Sequence, residues 1–141
     1  MKVFIDTNVF IFGLLFTKTN SQVILEKLEQ SGGEYEVVVS ELVLDEVNRF
    51  FRRNYGDREA YAAVKYVETL SRVVLREYIK KECEEYKGKI SDKDLDNLAT
   101  AKYEKADYLI SYDRDYLDFN EYITPRQFVK KFGFKGYETE Y

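Results

Sequence analysis

Two kinds of segment alternate along this chain, and that alternation limits its fold more than any single motif. Short, dense apolar runs at Lys2–Ile5, 36–39, 107–111 and 121–123 are separated by longer stretches whose apolar residues recur at helical spacing. Runs without polar alternation belong to strands buried on both faces, and strands joined through helices lie parallel with right-handed crossovers. The expected fold is therefore α/β, a three-layer α/β/α sandwich around a central parallel sheet. Ligands of such sheets bind beyond the carboxyl ends of the strands. Asp6 and Asp113 fall there.

Local signals divide the chain further. Asp6, Thr7 and Asn8 can each cap a helix that follows the first strand. A helical stretch at 21–30 stops at Gly32 and Gly33, and Ser40 opens a strongly amphipathic helix to about residue 54. Residues 58–86 read as mainly helical, with Val73, Val74 and Leu75 as an extended break. Ser91 opens another helix to about residue 104. Thr124, Pro125, Arg126 and Gln127 combine a capping box with proline at the first helical position. One domain is expected over residues 1–133, followed by a polar, aromatic tail, FKGYETEY, at 134–141, expected to order only against a partner.

Composition excludes several chemistries. The chain has no histidine, which removes Ser-His-Asp and Cys-His nucleophile systems and histidine-rich zinc sites. Cys83 is alone, so no internal disulfide or CxxC pair exists, as suits a reducing cytoplasm. The longest apolar stretch, 9–16, is interrupted by Gly13 and is far short of the roughly 20 residues that span a bilayer. The first residues, MKVFIDTN, lack the pattern of a secretory signal. A cytoplasmic protein with no membrane segment is expected. Its net charge of −4 argues against a nucleic-acid partner unless cations cluster locally.

Four acids stand out by position. Asp6 follows the first strand; helix capping is the better explanation when it is taken alone, and the other acids change that weighting. In the helix after Ser40, at 100° per residue from Leu42, Glu46 lies near 40°, at the margin of the apolar stripe of Val43, Leu44, Val47, Phe50 and Phe51, whereas Asp45 lies near 300°, in solvent. Arg49 and Arg53 follow on the side of Glu46, and are candidates for phosphate contacts. Asp94 shares a face with Leu98 and Ala101, so it is preferred to Asp96, which remains second choice; capping-box spacing from Ser91 is its bland alternative. Asp113 lies in the turn after the third strand, with Asp115 as its rival and Ser111 able to orient a carboxylate or a water. Converging carboxylates repel by roughly 4 kcal/mol per pair at about 4 Å and an effective dielectric near 20, so they raise one another's pKa or require a cation. All-oxygen ligands select Mg²⁺ or Mn²⁺, which would activate water for phosphodiester hydrolysis. The reading is a metal-dependent nuclease.

The segments VFIDTNVF, SELVLDEVNRF, DLDNLATAKYEKADYLISYDRDY and YITPRQFVKKF, in this order and spacing, resemble the PIN-domain family, including VapC-type toxin ribonucleases. The resemblance implies a parallel sheet of four or five strands and a Mg²⁺- or Mn²⁺-dependent ribonuclease acting on single-stranded RNA. It assigns the family's acids to Asp6, Glu46, Asp94 and Asp113, with Asn8 and Ser111 as supporting polar positions. Asn97 stands where relatives often have histidine, and Ser111 where threonine is commoner. A homodimer and an antitoxin protein whose tail enters the acidic groove are implied by the resemblance alone. Two competing readings are a catalytically silent RNA- or protein-binding module, and a phosphotransfer domain with Asp6 as nucleophile.

Overall fold

A computed structural model describes residues 1–139. It contains five strands, β1 (Lys2–Ile5), β2 (Glu36–Ser40), β3 (Arg72–Val74), β4 (Tyr108–Ile110) and β5 (Tyr122–Ile123), all parallel in one sheet of order β3-β2-β1-β4-β5. Seven α-helices accompany them among the described residues: α1 (Thr7–Leu15), α2 (Asn20–Gln30), α3 (Glu41–Tyr55), α4 (Asp57–Leu70), α5 (Lys80–Tyr86), α6 (Asp92–Tyr103) and α7 (Pro125–Lys131). The expected α/β sandwich with a parallel sheet is the fold observed. The break at Val73 and Val74 is a strand, and it supplies the fifth member of the sheet.

β1 has neighbours on both sides, and its Val3, Phe4 and Ile5 are fully buried, as are Val38 and Val39 of β2 and Leu109 and Ile110 of β4. These runs are apolar throughout because helices cover both faces of the sheet. The chain steps from β1 to β2 to β3 in one direction, then returns through α5 and α6 to lay β4 on the other side of β1. Right-handed crossovers put the helices of the two halves on opposite faces, so the order reverses between β1 and β4. That reversal is where a ligand site is expected.

Two helix junctions depend on local chemistry. A Cβ on Gly13 would collide with the Leu25 side chain, so the absent side chain lets α1 and α2 approach closely. Gly56 has φ of 102°, a left-handed conformation that lets the backbone turn between α3 and α4 without strain. At α7 the capping box forms in full, with Thr124 accepting from Gln127 N–H and the Gln127 side chain accepting from Thr124 N–H. Ser91 behaves differently from a capping-box residue. Its hydroxyl donates to the Asp94 carboxylate at 2.9 Å, and it makes no side-chain cap bond to the backbone of α6.

The tail does not wait for a partner over its described residues, 134–139. The Asn20 side chain accepts from Tyr137 N–H and donates to the carbonyls of Tyr137 and Thr139, while Phe134 N–H donates to Val129 C=O. Buried Asn20 is thus satisfied by the tail, which lies along α2 and α7. Glu140 and Tyr141, the end of the expected tail, lie outside the described residues.

Candidate active site

Asp6 leaves β1 just where the ladder to β4 ends, its N–H donating to Ile110 C=O at 3.0 Å. Its carboxylate is buried and held on several sides. Oδ1 accepts from Thr7 N–H at 2.7 Å and from Asn97 Nδ2 at 3.2 Å, and Oδ2 accepts from the Ser111 hydroxyl at 2.6 Å. Burial pushes its pKa up to about 7, against the lowering effect of the Ser111 and Thr7 bonds and with smaller contributions from the charges of Glu46 and Asp94. Asp6 therefore caps α1 while its carboxylate is also held by Ser111 and Asn97, so capping and a place in this network are compatible. Asn8 sits beside it, donating to Asp6 Oδ2 at 3.5 Å and to Ser111 Oγ at 3.4 Å, and accepting from Tyr112 N–H.

Glu46 reaches the same region from α3. Its Oε1 accepts from the Thr7 hydroxyl at 2.8 Å, so Thr7 ties Glu46 to Asp6. Asp45, one residue earlier, is exposed. Glu46 also borders a hollow shared with Thr7, Ile11, Arg49, Phe50 and Arg53, which puts both arginines beside it.

A second group converges from α6 and the turn after β4. Asp94, Asp113 and Asp115 each present a carboxylate oxygen, and these three atoms lie within 4.8 Å of one another. Asp115, the rival of Asp113 in the sequence, joins it instead of replacing it. Lys93 Nζ lies 3.3 Å from Asp94, 3.1 Å from Asp113 and 3.4 Å from Asp115. Burial and the bond to Asp115 raise the pKa of Asp94, whereas the bonds from Asp94 and Lys93 lower that of exposed Asp115. Asp113 also caps the turn at Arg114–Tyr116 by accepting from Asp115 N–H at 2.9 Å.

Buried Tyr116 and Asn97 connect the two groups. Asn97 Nδ2 donates to Asp6 and, at 3.3 Å, to the Tyr116 hydroxyl, which donates to Asp94 Oδ1 at 3.3 Å. The Asn97 carbonyl oxygen accepts from the Ser40 hydroxyl at 2.6 Å, so the N-cap of α3 steadies the same network. Asp96 points elsewhere. It pairs with Arg76 at 2.9 Å and accepts from the Cys83 thiol.

The model for the PIN domain matches residues 3–122. The chain belongs to the PIN domain family. Solved structures similar to this PIN domain include VapBC-1 from nontypeable Haemophilus influenzae, with TM-score 0.68 and 17% identity over 89% of this chain and 99% of its own. VapBC2 from Rickettsia felis, bound to a DNA fragment from its promoter, has TM-score 0.64 and 16% identity, covering 88% of this chain and 97% of that one. Mycobacterium tuberculosis VapC20, a sarcin-ricin loop cleaving toxin, has TM-score 0.61 and 20% identity over 84% and 95%. No curated protein matches the sequence.

The donor set of this PIN domain fits a divalent cation. It is made of oxygen alone, and separations of up to 4.8 Å can be spanned by one ion with ligands at about 2.0–2.6 Å. Thr7, Lys93, Asn97 and Tyr116 were not singled out as site residues from the sequence. Thr7 had a signal, as one of three capping residues after the first strand. Lys93 had a weaker one, as the single cation within SDKDLD. Asn97 was visible only as a departure from the family pattern.

Proposed function

We propose that this PIN domain is a metal-dependent endoribonuclease that cuts single-stranded RNA, and that it is the toxin of a toxin–antitoxin pair. The observation that carries this reading is the convergence of Asp94, Asp113 and Asp115 within 4.8 Å at the carboxyl edge of a parallel sheet. Asp6, Glu46, Asp94 and Asp113 are the proposed metal-holding acids, with Asp115 as a fifth carboxylate, for Mg²⁺ or Mn²⁺. When bound, the ion neutralises phosphate charge and lowers the pKa of water.

The chain's own residues supply position. Ser111, Thr7 N–H and Asn97 fix both oxygens of Asp6, and the Thr7 hydroxyl fixes Glu46. Arg49 and Arg53 border the hollow beside Glu46, where planar guanidinium groups suit phosphates of a bound strand. Tyr116 holds its hydroxyl proton toward Asp94 Oδ1, keeping that carboxyl group oriented. The toxin reading draws support from the family and from the likeness to VapBC structures and to a sarcin-ricin loop cleaving VapC. An antitoxin arginine would find acceptors among the same acids. We place the activity in the cytoplasm and extend the family's homodimer to this chain; no helix among the described residues is long and apolar enough to cross a membrane.

The test is incubation of purified protein with end-labelled single-stranded RNA in Mn²⁺, in Mg²⁺ and in EDTA. Cleavage is expected only with metal, leaving a 5′-phosphate and a 3′-hydroxyl, and Asp113→Asn is expected to suppress it. Equal cleavage in EDTA would overturn the reading.

A further inference from the structure

A second hollow lies on the other side of the acids from the one that holds Arg49 and Arg53. It measures about 340 Å³ and is bordered by Tyr112, Arg114, Tyr122, Arg126, Gln127 and Lys130. Tyr112 and Arg114 flank Asp113 in the chain, so this hollow begins at the acid triad. Topology separates the two hollows. Glu46, Arg49 and Arg53 lie on the helix after β2, whereas Tyr122, Arg126 and Lys130 lie on β5 and α7, and β2 and β5 are on opposite sides of the β1–β4 pair.

Three cations and two aromatic rings line this hollow in a chain of net charge −4. Arg114 and Lys130 make no ion pair among the described residues. Arg126 pairs at 2.8 Å with Glu138, whose side chain is 97% exposed, and an ion pair so open to water is readily exchanged for a phosphate. The rings are held in place. Tyr112 is hydrogen-bonded to Ser21 and stands edge-on to Phe12, and Tyr122 lies against Tyr116 with ring centroids 6.2 Å apart. Gln127 spends its carbonyl oxygen on the Thr124 cap, and its NH₂ group has no partner among the described residues. Anchored rings beside exposed cations are what an unpaired nucleotide needs, a stacking surface for the base and donors for the phosphate. A volume near 340 Å³ falls within the range of small-ligand sites.

We infer that this hollow is a nucleotide subsite: it receives one unpaired nucleotide of the RNA strand next to the scissile phosphate, stacking its base on Tyr112 or Tyr122 and binding its phosphate through Arg114, Arg126 and Lys130. This rests on the ribonuclease reading above. The strand then crosses the carboxylates with cations at both ends, which keeps polyanionic RNA over an acidic centre. A cationic protein segment is disfavoured here by charge, and an acidic one is the competing occupant.

The experiment measures binding of a fluorescein-labelled 12-nucleotide single-stranded RNA in EDTA by anisotropy, for wild type and for Arg126→Ala/Lys130→Ala, across a salt series. Both positions are exposed on α7. The double variant is expected to bind roughly ten-fold more weakly, with a salt slope smaller by about 1.4 for two lost phosphate contacts to a single strand. In parallel, 4-thiouridine RNA is crosslinked to wild-type protein, with label expected on the peptides that carry Tyr112 or Tyr122. Unchanged affinity and slope together with crosslinks confined to α3 would overturn the subsite. So would a polyglutamate of equal charge that displaces the RNA at equal concentration, which would assign the hollow to an acidic protein segment. If wild type still cleaves RNA with Mn²⁺ in either case, the ribonuclease reading survives without the subsite.

Discussion

At the scale of single residues, the site is a chain of hydrogen bonds in which each acid has a distinct setting. Asp6 is the most perturbed. Its folded pKa of about 7 exceeds the ordinary 3.8, so between those values the folded state retains a proton that the unfolded state has released. Metal-free stability therefore falls as pH rises from about 4 to 7, by at most roughly 4 kcal/mol at 1.36 kcal/mol per unit. Melting in EDTA should show a lower Tm at pH 8 than at pH 5, and Asp6→Asn should flatten that difference; an unchanged difference would show that Asp6 does not hold the proton. Lys93 carries a second prediction. Its ammonium stands within 3.4 Å of three carboxylates and competes with any cation they bind. Lys93→Ala should tighten Mn²⁺ binding several-fold in a calorimetric titration, and weaker binding would mean that the lysine assists the metal. Helical bearings singled out Glu46 over Asp45 and Asp94 over Asp96, because burial follows helical phase. Asn97 and Tyr116 were beyond such reasoning. The bond from Asn97 to Asp6 spans 91 residues, a distance over which periodicity carries no information.

At the scale of elements, what the sequence made legible tracks the strength of local chemistry. The capping box at Thr124 and Gln127 formed as read because both partners lie within one turn. β3 was read only as a break between helices, since three residues are too few to establish a strand pattern and its pairing with β2 is long-range. Ser91 misled for a related reason. Its spacing to Asp94 fits a cap, but the buried carboxylate draws its hydroxyl instead. Two predictions belong here. Gly13→Ala forces a methyl group against Leu25 and should destabilise the protein by roughly 1–3 kcal/mol in denaturant unfolding. Glu104 joins α6 to the sheet through Arg72 and Lys2; the hydrogen bond from Arg72 above all, then that from Lys2 and the charges of both, hold its pKa down to about 2 from 4.5. A depressed carboxylate stabilises the fold above the unfolded pKa and loses that contribution as pH falls toward 2. Acid unfolding of Glu104→Gln should therefore lack part of the wild-type pH dependence in that window, while stability at pH 7 drops.

At the scale of the whole molecule, an acidic chain is arranged so that its carboxylates meet at the sheet's topological reversal and its cations border hollows to either side. That distribution answers the objection raised by net charge, since a strand of RNA meets local cations before it meets the acids. The alternation of strands and helices put the ligand site beyond the carboxyl ends of the strands, but the strand order that places the reversal between β1 and β4, and the side chains that meet there, depend on long-range pairing and loops whose course only the structure gives. The direct measurement is single-turnover cleavage of a single-stranded RNA at saturating Mn²⁺ by wild type and by Asp94→Asn, each folded as judged by its melting curve. A rate reduced by about 100-fold or more in the variant, with no cleavage by either protein in EDTA, is the predicted result. Cleavage by Asp94→Asn at the wild-type rate would contradict the proposal that these carboxylates form the catalytic metal site.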